Sequence, residues 1–261
     1  MTTAGLPRSV RDLGAGFTNI RGSFKLLGVD LGTHCSLVRR PSGRYVLLDA
    51  CGLDEETAAW LDRTTEGGAL LDAVLHLHPF HTLSVREMHE RYPDAKLYGT
   101  LRHHDRARDL PWEPLTTDDP ELHESFGDAL RFSVPRGVVL ISDDEKVHFS
   151  SVLAIHPASK TLHVDDTLVY VRLPKALRWL KEDSLRFHPT LSRALENRPG
   201  AAADFRAWAR ELAQELEGVE NICAAHSAVL RGDRGDAPKA RVERALEKAE
   251  RALSAHEREH R

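Results

Sequence analysis

The chain has 261 residues, of which 41 % are hydrophobic and 29 % charged, and its formal net charge is −4 at pH 7. This composition is typical of a globular protein with a sizeable hydrophobic core, and it shows no basic excess of the kind that binds nucleic acid. Nucleic acid is therefore not an expected partner. A membrane is not expected either, because no apolar run is long enough to span a bilayer.

The cysteines point to a reducing compartment. Cys35, Cys51 and Cys223 are odd in number, lie far apart in the sequence and form no C-x-x-C motif. This pattern predicts neither a disulfide framework nor a cysteine zinc site. The opening residues MTTAGLPRSVRDLGAGF also lack the apolar stretch of a signal peptide. We therefore expect a cytoplasmic protein.

The first half of the sequence predicts strands separated by short helices. Asp54 is a candidate N-cap for one helix, and the capping box of Ser84 and Glu87 starts another, which Pro93 ends. The continuous apolar run ALLDAVLHLH is expected of a strand covered on both faces. The predicted strands lie within 24–40, 44–52, 69–78 and 95–100, and the two helices follow residues 54 and 84.

The second half continues with a loop region, further strands and helices. Residues 105–128 are acidic and contain prolines, which predicts a loop with one short helix. Strands are predicted at 137–142, 148–156, 161–171 and 221–230, and helices at 174–182 and 200–217. This order predicts a layered domain of α and β structure with mixed sheets.

A charged helix is predicted at the end of the sequence. Asp236 is its candidate N-cap, and one narrow apolar face is lined by Val242, Ala245, Leu246, Ala249 and Leu253. The simpler interpretation is a solvated helix lying on the domain, and the alternative is a helix that forms a homo-oligomer. We therefore expect a domain over 1–235 followed by an amphipathic helix over 236–261.

Three histidines in the stretch LHLHPFHT point to a metal site. His76 and His78 are two residues apart at the end of a predicted strand, so their side chains share one face, and His81 follows in the turn. Imidazoles from a strand end and its loop can converge on one ion at about 2.0–2.1 Å. With 15 histidines in the chain, this pattern also arises by chance, so it is not specific alone.

Further ligand-type residues lie downstream, each at or near the end of a predicted strand. His148 opens the strand in KVHFSSVLAIH, Asp165 and Asp166 lie within LHVDDTLVYV, and His226 ends the last strand in CAAHS. These positions strengthen the metal-site interpretation.

The series of residues resembles the metallo-β-lactamase-fold superfamily. Its members carry H-x-H-x-D-H after an apolar strand, a later His, an Asp in a G-D pair and a final His; here HLHPFH, His148, Asp165-Asp166 and His226 take these places. RYVLLDACG and YPDAKLYGT resemble the strands on either side of the first motif, so the resemblance covers about residues 17–230. It implies an α/β fold, specifically a four-layer αββα sandwich with the site at the edge where the two sheets meet.

The resemblance also implies a set of metal ligands. The first metal position would use His76, His78 and His148, with Asp166 as a bridging ligand. The second position would use the motif Asp together with His81, Asp166 and His226. All residues of the first set are present in this chain.

Two positions depart from the pattern. Phe80 replaces the motif Asp, and Asp165 replaces the glycine of the G-D pair. Losing an anionic ligand should weaken the second metal position, and a phenyl ring accepts neither a hydrogen bond nor a proton. Asp165 is an alternative carboxylate, although in a regular strand it would point away from its neighbour Asp166.

Several other residues lie near the predicted site. His103 and His104 are expected on the surface or behind the ligands rather than on the metal. Asp49 is a candidate for supporting the site indirectly, and His163 is either a surface residue or a donor to a ligand carboxylate. Cys51 is expected to be a buried small hydrophobic residue.

Three functions are compatible with these residues. The leading hypothesis is a metal-dependent hydrolase in which one Zn²⁺ activates water toward a small ester, thioester, amide or phosphoester. Its candidate catalytic residues are His81, His226 and Asp165. The alternatives are a non-catalytic module that binds a metal or a partner, and a mononuclear Fe²⁺ oxygenase with two His and one carboxylate ligand.

Overall fold

A computed structural model describes residues 5–23, 25–26, 29–30, 32–171, 183–225, 229–231 and 236–261. These residues form two compact units. The first comprises Met1–Phe132 and Ala154–His163, and the second comprises Ser133–Leu153 and Val164–Arg261. In the described residues, no helix combines the length and the apolar character needed to cross a membrane.

The described part of the first unit has eight strands before residue 100. In chain order they are β1 (Val10–Asp12), β2 (Phe17–Gly22), β3 (Lys25–Leu26), β4 (Val29–Asp30), β5 (Thr33–Arg39), β6 (Tyr45–Leu48), β7 (Leu71–Leu75) and β8 (Lys96–Tyr98). β3 and β4 pair with each other, and the others form one six-stranded sheet in the order β1-β2-β5-β6-β7-β8. The sheet is antiparallel up to β6, whereas β6, β7 and β8 run parallel.

Four helices belong to the same unit: α1 (Glu55–Thr64), α2 (Val85–Arg91), α3 (Leu101–Arg106) and α4 (Pro120–Ser125). α1 and α2 are the crossovers that the parallel strand pairs require. The Asp54 carboxylate accepts the Thr57 N–H at 2.7 Å, which confirms the predicted N-cap of α1. The Ser84 side chain makes no capping bond, so the predicted capping box of α2 is wrong.

A β-hairpin with a short turn follows in the chain. The next strand in the chain is β9 (Arg131–Ser133). The hairpin itself consists of β10 (Leu153–His156) and β11 (Thr161–Val164), which pair antiparallel. The turn is a 3₁₀ segment over Pro157–Ser159, closed by the Ser159 N–H donating to Nδ1 of His156 at 3.2 Å. The strand predicted at 137–142 is absent: within that described stretch, only Val138 forms a single bridge, with Leu195.

In its described residues, the second unit contains two strand pairs and three helices. Its elements are β12 (Leu168–Val171), β13 (Ser184–Phe187), α5 (Leu191–Ala194), α6 (Ala201–Glu215), β14 (Asn221–Ala224), β15 (Val229–Arg231) and α7 (Pro238–Glu259). β12 pairs with β13 and β14 with β15, both antiparallel. An aromatic core includes Phe149, Phe187, Phe205 and Trp208. The helix predicted at 174–182 lies outside the described residues.

The C-terminal helix α7 packs against α6 of the same unit. Val242, Ala245 and Leu253 on its apolar face are buried. Arg206 of α6 donates to Glu250 at 2.7 Å and also to Glu257, which raises the pKa of this guanidinium through those two hydrogen bonds. The predicted apolar face is therefore largely used within the chain, and an oligomer through this helix stays a prediction.

Gly137 allows a close backbone approach to the start of α6. It has φ +71°, and a Cβ there would lie 2.0 Å from the Ala201 carbonyl oxygen. We expect Gly137→Ala to lower the free energy of unfolding by about 3 kcal/mol, from backbone strain plus overpacking. Gly218→Ala is the matched control because Gly218 has φ +77° but nothing within 4 Å. In urea unfolding, equal costs for the two variants would contradict the overpacking argument.

Candidate metal centre

The HLHPFH segment follows the end of β7 and its backbone is held by several hydrogen bonds. β7 ends at Leu75, before the first histidine, so the predicted strand over 69–78 is shorter than expected. His76 N–H donates to the Tyr98 carbonyl at 2.9 Å, and Leu77 N–H donates to Oδ1 of Asp49 at 2.8 Å. The Thr117 hydroxyl donates to the His76 carbonyl at 2.9 Å. The sheet therefore positions this segment from both neighbouring strands.

His78 and His81 form a close pair within this segment. Their rings stack with centroids 4.1 Å apart, and a ligand nitrogen of each lies within 4.8 Å of the other. The Phe80 N–H donates to Nδ1 of His78 at 3.1 Å, so this nitrogen holds a lone pair. Nitrogens this close can share one ligand or ion. The chain therefore carries histidines able to hold a metal.

His76 is fully buried and lies beside different rings. Its ring centroid is 5.3 Å from that of His103 and 5.9 Å from that of Trp112. Burial lowers the pKa of His76 to about 3, so the ring is neutral, which is the form that binds metal. Among the described residues, neither ring nitrogen has a hydrogen-bond partner. A ligand bound to these two nitrogens would satisfy buried polar atoms that are otherwise unpaired.

His103 is buried beside His76, which excludes the expected surface position and agrees with the alternative, a position behind the predicted ligands. The side chain is only 1 % exposed, and its Nδ1 accepts the Thr100 N–H at 3.1 Å as part of an N-terminal capping box on α3. Burial lowers the pKa of His103 well below its usual range. Since Nδ1 is an acceptor in the neutral ring, Nε2 carries the proton. His103 thus offers an N–H donor rather than a metal ligand.

A signal for His103 was present in the sequence. T-x-x-H directly follows the predicted strand at 95–100, and the carboxyl ends of neighbouring parallel strands meet at the same edge of a sheet. His104 next to it is half-buried and stacks on Trp112, with ring centroids 5.0 Å apart.

Phe80 takes the place of the motif Asp, and its ring is in contact with the cationic side chain of Arg102. The Arg102 guanidinium lies over the phenyl ring at 4.2 Å, and the ring of His78 is 6.0 Å from that of Phe80. This cation–π contact puts a positive charge beside the histidine pair.

Asp49 connects the metal-motif segment to β11. Its side chain is 1 % exposed; Oδ1 accepts from Leu77 as described, and Oδ2 accepts Nε2–H of His163 at 2.9 Å. Nδ1 of His163 then accepts the Ser36 hydroxyl at 2.9 Å. Asp49 therefore supports the segment, and His163 donates to Asp49 rather than to a predicted ligand carboxylate.

The Asp49–His163–Ser36 chain of hydrogen bonds has the order of a nucleophile triad but is enclosed. His34 stacks on His163 with centroids 4.3 Å apart, and the Asn19 amide donates to the Ser36 hydroxyl at 3.1 Å. Ser36 is fully buried, so its hydroxyl is closed to a substrate. We interpret this network as structural.

The remaining predicted site residues belong to the second unit. His148 lies in a loop ahead of β10 instead of opening a strand, and its Nε2–H donates to the Glu145 carbonyl. Asp165 and Asp166 are buried in the turn that separates β11 from β12, so the predicted single strand over 161–171 is interrupted there. His226 lies outside the described residues.

Buried hydroxyls hold the Asp165–Asp166 turn within the second unit. Thr167 Oγ1 accepts the Ser151 N–H at 2.9 Å and donates to the Phe149 carbonyl at 3.0 Å. These hydrogen bonds fix the backbone conformation next to the turn. The metal-binding and catalytic roles of its two carboxylates stay predictions.

Comparisons with known proteins bear on the fold. A metallo-β-lactamase from Erythrobacter litoralis superposes with a TM-score of 0.62 at 15 % identity, covering 94 % of this chain and 98 % of that one. The DIM-1 metallo-β-lactamase superposes with a TM-score of 0.59 at 13 % identity, covering 93 % of this chain and 96 % of that one. The metallo-β-lactamase from Pontibacter korlensis superposes with a TM-score of 0.56 at 11 % identity, covering 94 % of this chain and 98 % of that one.

The chain has the metallo-β-lactamase fold. This confirms the fold class predicted from the histidine series and its order. No protein-family model matches the sequence, and no curated protein sequence is significantly similar to it.

Proposed function

We propose that the protein is a metal-dependent hydrolase that holds one metal ion firmly, with zinc as the expected metal. The observation that carries this proposal is the buried His76, whose two ring nitrogens lack hydrogen-bond partners among the described residues. Each buried unpaired polar atom costs about 1–3 kcal/mol, and a bound ligand would offset that cost. The stacked pair of His78 and His81 lies in the same segment.

The proposed roles follow the predicted ligand set. A zinc ion, when bound, lowers the pKa of a coordinated water and polarises a carbonyl or phosphoryl oxygen. His81 is half-buried, which leaves its ring accessible as a general base or as a ligand of a weaker second ion. The proposed ligands are His76, His78, His148 and Asp166, and the proposed catalytic residues are His81, His226 and Asp165.

His103 adds a fixed hydrogen-bond donor to this proposal. The capping box with Thr100 fixes the ring and places the proton on Nε2, and burial keeps the ring neutral. A fixed N–H in a water-poor site orients an oxygen of a bound ester, thioester, amide or phosphoester.

Metal content separates the possible functions. Protein purified without added metal and analysed by elemental mass spectrometry is expected to hold one zinc ion per chain. It is then assayed on ester, thioester, amide and phosphodiester substrates. Iron instead of zinc would favour the mononuclear oxygenase, and two tightly held ions would contradict the weakened second position.

A non-catalytic module remains the second candidate. The observation in its favour is the Phe80–Arg102 pair, which replaces the motif carboxylate by an apolar ring and a cation. Bound metal without hydrolysis of any substrate in the panel would support this candidate over the hydrolase.

We expect Phe80→Asp to raise the metal content above that of the unchanged chain, toward two ions. The new carboxylate would restore an anionic ligand and would remove the ring on which the Arg102 cation lies. Phe80→Asn is the matched control because it lacks the negative charge. The measurement is metal per chain after dialysis against equimolar zinc, and an unchanged content would mean that the second position is closed for another reason.

A further inference from the structure

Cys35 and Cys51 meet inside the first unit although they are far apart in the sequence. Cys35 lies in β5, and Cys51 lies just beyond the end of β6, which pairs antiparallel with β5. Their Sγ atoms are 3.2 Å apart, and both are free thiols. Both side chains are buried, at 0 % and 2 % exposure. The sequence pattern gave no reason to expect this contact.

The backbone around the two thiols keeps them together. Cys35 is paired with Ile20 of β2, which fixes its place in the sheet. A Cβ on Gly22 of the same strand would lie 3.0 Å from Cys51 Cβ and 2.8 Å from the Gly52 carbonyl oxygen, so Cys51 packs directly on β2. An S–S bond is about 2.05 Å long, so a side-chain movement of about 1 Å brings the sulfurs to bonding distance.

We propose that Cys35 and Cys51 are an oxidative modification site and form a reversible intrachain disulfide. The oxidant is a low-molecular-weight disulfide such as oxidised glutathione. One cysteine thiolate attacks a sulfur of the small disulfide, forms a mixed disulfide and releases one small thiol. The second cysteine thiolate then attacks the protein sulfur and releases the other small thiol. Two protein thiols are oxidised, one small disulfide is reduced, and the two protons end on the released thiols.

This crosslink would act on the segment that carries Asp49. Asp49 precedes Cys51 by two residues and accepts hydrogen bonds from Leu77 and His163. Joining Cys51 to β5 fixes this segment to the sheet and closes a loop of sequence separation 16. We expect the oxidised protein to melt about 5 °C higher than the reduced protein, because the crosslink restricts the unfolded chain.

The folded protein should oxidise slowly. The hydrogen bond with Cys51, followed by burial, raises the pKa of the Cys35 thiol well above its usual range. The attacking thiolate is therefore scarce until the segment opens. Oxidation during refolding avoids this barrier, since both thiols are accessible before the core forms.

The test uses the full chain in two treatments. In one, native protein is incubated with oxidised glutathione; in the other, protein unfolded in guanidinium is refolded in a mixture of reduced and oxidised glutathione. Remaining thiols are then alkylated under denaturing conditions, and peptides are analysed by mass spectrometry. We expect a Cys35–Cys51 peptide pair with Cys223 alkylated, and release of the pair by dithiothreitol.

The variants identify the bond. Cys35→Ala and Cys51→Ala are expected to leave all remaining cysteines alkylated, whereas Cys223→Ala should keep the crosslink. Far-ultraviolet circular dichroism confirms folding of each sample before alkylation. Full alkylation of Cys35 and Cys51 after both treatments, or a disulfide that involves Cys223, would overturn the proposal.

Discussion

Replacing Asp49 by alanine is expected to lower the free energy of unfolding by about 4 kcal/mol. The carboxylate accepts the Leu77 N–H and the His163 Nε2–H, and all of these groups are buried. Its removal leaves two buried donors without an acceptor, at about 1–3 kcal/mol each. The backbone at Asp49 has φ +59°, a conformation that alanine adopts less readily than aspartate.

The measurement is urea unfolding monitored by tryptophan fluorescence. Asp54→Ala is the matched control, since that exposed carboxylate caps α1 and its loss should cost about 1 kcal/mol. Asp49→Asn should fall between the two variants because its side-chain oxygen still accepts the Leu77 N–H. A cost for Asp49→Ala no greater than that of Asp54→Ala would show that the buried network contributes little.

Replacing His78 by alanine is expected to weaken metal binding by about 100-fold or more, because it would remove a proposed ligand nitrogen from a site with few donors. The same substitution removes the ring on which His81 stacks, with the two ring centroids 4.1 Å apart. Hydrolysis of any substrate identified in the panel should fall in parallel with metal content.

Affinity is measured by competition with a chromophoric zinc chelator. His89→Ala is the matched control: it removes a half-buried histidine from α2 in the same unit, outside the HLHPFH segment. Circular dichroism of both variants tests that the fold is retained. Equal zinc affinity of His78→Ala and the unchanged chain would exclude His78 as a ligand and would contradict the proposed metal site.

The local pattern of the sequence determined the series of elements that ends at the site. The N-cap at Asp54 and the apolar run before His76 predicted α1 and β7, and Pro93 predicted the end of α2. These features depend on residues within one or two turns of each other, so they are visible without the tertiary structure. The histidine segment was also expected at the end of a strand, and β7 does end at Leu75, directly before His76.

Local patterns failed where an element is short or changes direction. β1 and β2 escaped prediction because VRD and FTNIRG contain only three apolar residues, Val10, Phe17 and Ile20, which form neither a continuous run nor an alternating pattern. The apolar run over 161–171 reads as one strand, yet the Asp165–Asp166 turn divides it. The adjacent Thr167 hydroxyl is bonded there to backbone groups of Phe149 and Ser151, which are distant in the sequence.

Only the tertiary structure decided which side chains meet. Asp49 and His163 are 114 positions apart, and the contact between them depends on how the strands that carry them pack together, rather than on either local sequence. The same holds for the thiols of Cys35 and Cys51 and for the Arg102 cation over Phe80. Periodicity and capping act over a few residues, whereas burial, ring stacking and hydrogen-bond partners depend on elements that only folding brings together.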